Sequence, residues 1–331
     1  MYINSMKVCI YGAGAIGGFL GARLAAHGHA VSAVARGATL AALNAHGMRL
    51  RSGDAQIAPR VGASADPAEL GAQDLVVIAV KEPAMRDVAA RISPLIGADT
   101  IVLTAMNGMQ WWFFDGMQGP CAGMKLTTLD ADGAIARAIP GRHVVGCVVH
   151  ASCTTPEPGL VHNVMGQRLI IGEPAGGQSP RVATLARELN AAGFECEVAE
   201  RIQQEIWYKL WGNMTMNPVS AFTGATVDRV LDDELANAFL RSIMAEAKAI
   251  GAAIGCPVEQ TAEDRNAVAR KLGAFKTSML QDVEAGKPLE IDALLTAVRE
   301  IAQRVNVAAP NLDALLGLTR VFARSRGLYP G

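Results

Sequence analysis

The sequence predicts an N-terminal α/β domain built on a parallel sheet, followed by an all-α C-terminal domain. Three observations carry this. A short β-favouring run meets a glycine cluster at Gly12, β runs then alternate with helical stretches as far as Val198, and nearly everything beyond Glu200 has helical spacing. A chain of 331 residues suits two domains, because single cores usually stop growing below about 250 to 300 residues.

The first strand is expected over residues 7–11. Ile16, Phe19, Leu20 and Leu24 then recur at helical spacing as far as His27. Further strands are expected over 30–35, 75–80 and 101–105, with helices over 38–45 and 84–92 between them. The run at 75–80 is almost wholly apolar, as a parallel strand covered on both faces should be. Residues 144–152 and 168–171 read as extra strands separated by Pro156, Pro158 and Gly159. A helix over 182–189 and a strand over 194–198 finish the first domain, which is assigned residues 1–200. The second domain, 201–331, is expected to hold helices over 201–217, 232–254, 261–285, 291–304 and 311–325, broken at Pro218, Pro257, Pro288 and Pro310.

Composition narrows the partners. Half of the residues are hydrophobic, 18% are charged and the net charge is -1, which gives no strong field for nucleic acid or an anionic membrane. A small-molecule or protein partner is expected. No apolar run near the N-terminus could span a bilayer, and residues 1–7 lack the basic and apolar regions of a signal peptide, so a cytoplasmic protein is expected. The alanine- and methionine-rich helices of the second domain are compatible with a homodimer. Six cysteines are scattered without a CxxC pair, and His27 and His29 bracket a turn at Gly28, so no metal site is expected.

The glycine cluster reads Gly12-Ala13-Gly14-Ala15-Ile16-Gly17, a G-x-G-x-x-G string after a strand and at the start of a helix. That context marks a Rossmann-type dinucleotide site, in which the backbone approaches a pyrophosphate and the helix N-terminus receives its charge. An NAD site would carry an acidic residue about 20 positions on. Arg36 stands near that place, and no Asp or Glu occurs between Gly17 and Asp54. A guanidinium suits a 2′-phosphate, so NADP(H) is the expected cofactor. Lys81 and Asn107 follow two of the expected strands, and ligands of open α/β sheets lie beyond such carboxyl ends.

In the second domain Lys209, Asn213 and Asn217 recur every four residues among Ile206, Trp207, Leu210, Trp211, Met214 and Met216. Helical spacing stacks the three polar side chains on one face. A solvated stripe on a boundary helix would show the same spacing, as would a pocket floor.

With the glycine string, Arg36, Val80-Lys81, Asn107-Gly108, the run from Trp207 to Asn213, Asn217-Pro218, Ser278 to Asp282 and Glu290-Ile291-Asp292, the chain resembles the ketopantoate reductase family. The resemblance implies an NADPH-dependent reductase of a 2-keto acid, with 2-dehydropantoate the leading substrate. By position it implies Lys209 as the catalytic lysine and Glu290 as an active-site glutamate orienting it. Asn213, Asn217 and Ser278 would bind substrate, Asn107 would lie near both substrate and nicotinamide, and Arg36 and Lys81 would touch the cofactor. Alternatives are a bulkier or more apolar 2-keto acid, and a non-catalytic NADP sensor. Three departures bear on the substrate: Met106 stands where the family commonly has Gln, Leu295-Thr296 where it has Asn-Gly, and Phe275 where some members have Asn. An aromatic block, Trp111 to Phe114, is either a packed loop or a lining of the substrate pocket.

Overall fold

The computed structural model describes residues 5–330, so the first four residues of the N-terminal stretch judged above lie outside it. Two compact units form, one from residues 1–106 and 132–202, the other from 107–131 and 203–331.

In the first unit β1 (Lys7–Tyr11) leads through the glycine loop into α1 (Ala15–His27), followed by β2 (Ala30–Val34) and α2 (Gly37–His46). Then come β3 (Arg49–Ser52), β4 (Ala55–Ile57), β5 (Gly62–Ser64), β6 (Gln73–Ile78), α3 (Met85–Arg91) and β7 (Ile96–Thr104). The unit closes with α4 (Ala134–Ala138), β8 (Val144–Glu157), β9 (Leu160–Gly172), α5 (Pro180–Ala191) and β10 (Glu195–Val198). Six strands run parallel in the order β5-β2-β1-β6-β7-β8. That is the 3-2-1-4-5-6 order of a doubly wound sheet, and its strand order reverses between β1 and β6.

The long hairpin β8–β9 extends this sheet antiparallel. The far edge of β9 is shared, its first half pairing with β3 and its second with β10. The three short strands β3 to β5 escaped the sequence because three or four residues carry too little alternation to register. Val8, Ile10, Leu75, Val77 and Leu103 from the parallel strands are sealed on one face with Phe19, Leu20 and Leu24 of α1. Phe19 meets Phe194 edge to face at 5.3 Å.

The second unit holds α6 (Ile202–Thr223), α7 (Val227–Asp232), α8 (Glu234–Ala253), α9 (Ala262–Arg270), α10 (Ser278–Glu284), α11 (Ala297–Arg304) and α12 (Pro310–Ser325). Three expectations are corrected here. Helix α6 does not stop before Pro218 but runs through it, with Val219 and Ala221 buried beyond. Packing of that last turn outweighs the roughly 3 kcal/mol that an interior proline costs. The helix expected over 261–285 is two: Gly273 turns left-handed at φ 63, and Thr277 Oγ1 caps the new start by accepting from Leu280 N at 3.2 Å. The helix expected from 291 opens as a π-helical turn, Asp292–Thr296, before α11.

Residues 107–131 fell within the range expected for the first domain, yet they pack with the helices. Trp112, Phe113 and Phe114 are fully buried, Phe113 lies 6.5 Å from the Trp207 ring, and Trp112 Nε1 donates to Gln110 Oε1 at 2.9 Å. Of the two roles open to the aromatic block, the buried side chains fit a packed loop. Among the described residues no helix is long and apolar enough to cross a membrane.

Candidate active site

The first unit offers a hollow of about 260 Å³ outside the carboxyl ends of β1 and β6, where the strand order reverses. Tyr11, Gly12, Ala13 and Gly14 form one wall, Arg36 and Thr39 another, and Val80, Asp87 and Val88 a third. Two glycines here are required by the fold itself. Gly12 holds φ 98, and a Cβ on Gly17 would stand 2.0 Å from the Gly12 carbonyl oxygen. Gly14 is different, because a Cβ there would meet nothing within 4 Å. Its open side is the space a pyrophosphate needs.

Gly14 caps α1 without a side-chain hydrogen bond and no acid occupies the first turn, so the helix N–H groups remain available to an anion. A dinucleotide therefore fits these residues. Ala15 and Ile16 continue the loop into α1. Arg36 is exposed at the start of α2, and its Nη2 donates to Asp87 Oδ2 at 2.5 Å. Lys81 lies three residues past β6, partly buried, before a 3₁₀ turn.

The second unit gathers most of the other expected residues. Lys209 Nζ, on α6, donates to Asn107 Oδ1 at 2.8 Å. One turn on is Asn213, half-buried, and after another turn comes Asn217, buried, whose Nδ2 donates to Ser278 Oγ at 3.4 Å. Ser278 is the exposed first residue of α10, a position created by the helix break at Gly273. Glu290 is half-buried just before the π-helical turn.

That turn is tied to Asn107 through the backbone. Met109 N donates to Ala293 O at 2.8 Å, and Gly108, at φ 77, lies so close that a Cβ would stand 2.8 Å from the Ala293 Cβ. Tyr329 Oη holds Asp292 Oδ1 at 2.7 Å, and Leu289 N donates to Leu328 O at 3.0 Å. The structure thus brings Lys209 to Asn107 and Asn217 to Ser278. Of the departing residues, Leu295 is buried and Thr296 Oγ1 accepts from Arg320 Nη2 at 3.0 Å.

Sequence reasoning missed Tyr11 and Asp87. Tyr11 ends the first strand and carries a hydroxyl that is buried without a hydrogen-bond partner among the described residues. The one signal for Asp87 was its place in the first turn of the helix after Lys81.

Elsewhere His27, His29 and Glu188 come within 4.8 Å of one another. Met6 N donates to His29 Nδ1 at 3.3 Å, which leaves the neutral ring's proton on Nε2. In that tautomer Nε2 has no lone pair for a metal.

A doubly wound unit with an open glycine cradle, followed in the chain by a helical unit carrying a lysine among carboxamides, is the construction of a dinucleotide-dependent oxidoreductase. The family model "Ketopantoate reductase PanE/ApbA" matches residues 8–111, and its C-terminal counterpart matches 201–323. A 2-dehydropantoate 2-reductase of Mesorhizobium japonicum is 45% identical over 98% of this chain and 100% of its own length. A crystal structure provisionally named ketopantoate reductase, from Ralstonia solanacearum MolK2, is 57% identical, covers 98% of this chain and 99% of its own, and superposes with a TM-score of 0.94. A D-mandelate dehydrogenase solved with NADH and anilino(oxo)acetate shares the fold alone, at 19% identity and a TM-score of 0.83 over 98% of this chain and all of that one. The chain belongs to the ketopantoate reductase family, oxidoreductases acting on CH–OH groups.

Proposed function

We propose that the protein reduces 2-dehydropantoate to pantoate with NADPH and one proton, with Lys209 as the proton donor. The observation that carries this reading is the Lys209–Asn107 hydrogen bond at 2.8 Å. The Asn107 carboxamide oxygen accepts one ammonium proton and fixes the Lys209 side chain in place, and an ammonium so held is a positioned donor for a substrate oxygen. NADPH held at the glycine cradle would supply a hydride to the keto carbon. Negative charge then develops on the carbonyl oxygen, and the Lys209 ammonium both stabilises it and delivers the proton that completes the hydroxyl.

Ser278 and the carboxamides of Asn213 and Asn217 bind the substrate carboxylate and hydroxyl, and Glu290 orients Lys209. Arg36 and Lys81 hold the phosphates of the cofactor, a role that the missing carboxylate at the end of β2 supports. Identity of 45% to a named 2-dehydropantoate 2-reductase along the full chain supports the substrate.

The test follows NADPH absorbance over a panel of 2-keto acids, in the protein and in Lys209→Ala. Turnover should be best with 2-dehydropantoate, and the substitution should lower kcat by about 10²- to 10⁴-fold while NADPH still binds. Absence of turnover on every acid, with NADPH bound, would sink the enzymatic reading. Unchanged kcat in Lys209→Ala would remove the lysine from its role.

A further inference from the structure

The Arg36–Asp87 ion pair sits on the rim of the dinucleotide hollow, with side chains 59% and 49% exposed. Two of the walls that a dinucleotide would touch are therefore already engaged with each other. The cation expected to receive a 2′-phosphate has one edge committed to a carboxylate at 2.5 Å. Tyr11, which also lines the hollow, is only 4% exposed, and its buried hydroxyl has no hydrogen-bond partner among the described residues. Burial raises its pKa, Arg91 opposes that rise, Asp87 adds to it and Arg36 opposes it.

We infer that Asp87 sets the cofactor preference of this site, competing with the 2′-phosphate of NADPH for Arg36 and standing in, from α3, for the ribose-binding acid that β2 lacks. This inference rests on the dinucleotide reading above. Its physical basis is charge. A 2′-phosphate seated on the free edge of Arg36 lies within a few ångströms of the Asp87 carboxylate, and the two anions repel while sharing one cation. A plain ribose meets the same carboxylate as a hydrogen-bond acceptor, as in NAD sites whose acid comes from the second strand. Arg36 thus favours NADPH, and Asp87 moderates that preference so that NADH is tolerated.

Two nucleotide fragments isolate the effect, because 2′,5′-ADP and 5′-AMP differ only in the 2′-phosphate. Calorimetric titration of the whole protein, Asp87→Asn and Asp87→Ala is the experiment. In both variants 2′,5′-ADP should bind about fivefold tighter, the size expected when one charge is removed near a dianion at a solvated rim. The gain should shrink as salt is raised. The affinity for 5′-AMP should fall, because its 2′-hydroxyl loses the Asp87 acceptor, and an unchanged affinity would remove Asp87 from the ribose-binding role. Unchanged or weaker 2′,5′-ADP binding in the two folded variants overturns the inference, as does an equal gain for both fragments. If the unaltered protein binds neither fragment, the dinucleotide reading fails and this inference with it. If it binds both yet reduces no keto acid, only the proposed reaction fails.

Discussion

At the scale of single residues, local chemistry separates groups that the sequence cannot. His29 and His27 looked alike as histidines flanking a turn, yet His29 is 5% exposed and its Nδ1 accepts from Met6 N. Burial lowers its pKa below the ordinary histidine value, Glu188 opposes this from 3.9 Å, and His27 adds to it. The sign follows from which state binds the proton. The unfolded chain protonates His29 near pH 6.5 while the folded one resists, so His29 costs stability progressively as pH falls below that point. Denaturant unfolding between about pH 7 and 5 should therefore show a fall in stability that His29→Gln reduces, since glutamine can still accept from Met6 but cannot titrate. An identical slope in the variant would remove His29 as its source. Lys209 illustrates what the sequence can carry: its spacing from Asn213 and Asn217 placed all three on one helix face, but only folding shows that its partner is Asn107, 102 positions earlier.

At the scale of elements, the apolar parallel strands and α1 were legible because near-continuous hydrophobic runs, helical periodicity and the glycine string each register in the sequence. Residues 107–131 were not, because their order comes from distant anchors. Glu300, on α11, accepts at 2.9 Å from Thr127 N, Thr127 Oγ1 and Thr128 N, fixing the loop that carries Asn107 and the aromatic block. Burial alone would raise the pKa of Glu300, but the hydrogen bonds from Thr128 and Thr127 outweigh it and hold the carboxyl below its ordinary value. This stability is complete above the unfolded carboxylate range and is lost as pH falls through the folded value. Glu300→Gln replaces charge-assisted bonds by neutral ones and leaves one oxygen's donors facing an amide. It should cost about 1.5–3 kcal/mol in denaturant unfolding near neutral pH and speed hydrogen exchange across 107–131. Full protection of those amides in the variant would show that the aromatic packing alone holds the loop. The π-helical turn beside it is likewise tied to distant residues, with Tyr329 Oη donating to Asp292, Leu289 N donating to Leu328 O just before it, and Gly108 close to Ala293.

At the scale of the whole chain, the expected order of a parallel α/β domain and then helices was readable because each class has its own period. What the linear order hid is that the first unit is interrupted, its chain leaving after Met106 and returning at Asp132. The glycine cradle belongs wholly to that unit, which bears on how cofactor acts on stability. A ligand that binds only the folded state adds RT ln(1 + [L]/Kd), about 2.7 kcal/mol at a hundredfold excess over Kd. For a unit of 150–250 residues each kcal/mol moves the midpoint by about 2–4 °C. Scanning calorimetry with NADPH at that excess should therefore raise the transition of the first unit by about 5–10 °C. NADH at the same concentration should raise it less, because Arg36 then has no 2′-phosphate to hold. In Asp87→Asn the difference between the two cofactors should widen. A transition that NADPH leaves in place would mean the cradle around Gly14 binds no dinucleotide, and equal shifts with both cofactors would mean that Arg36 does not read the 2′ position.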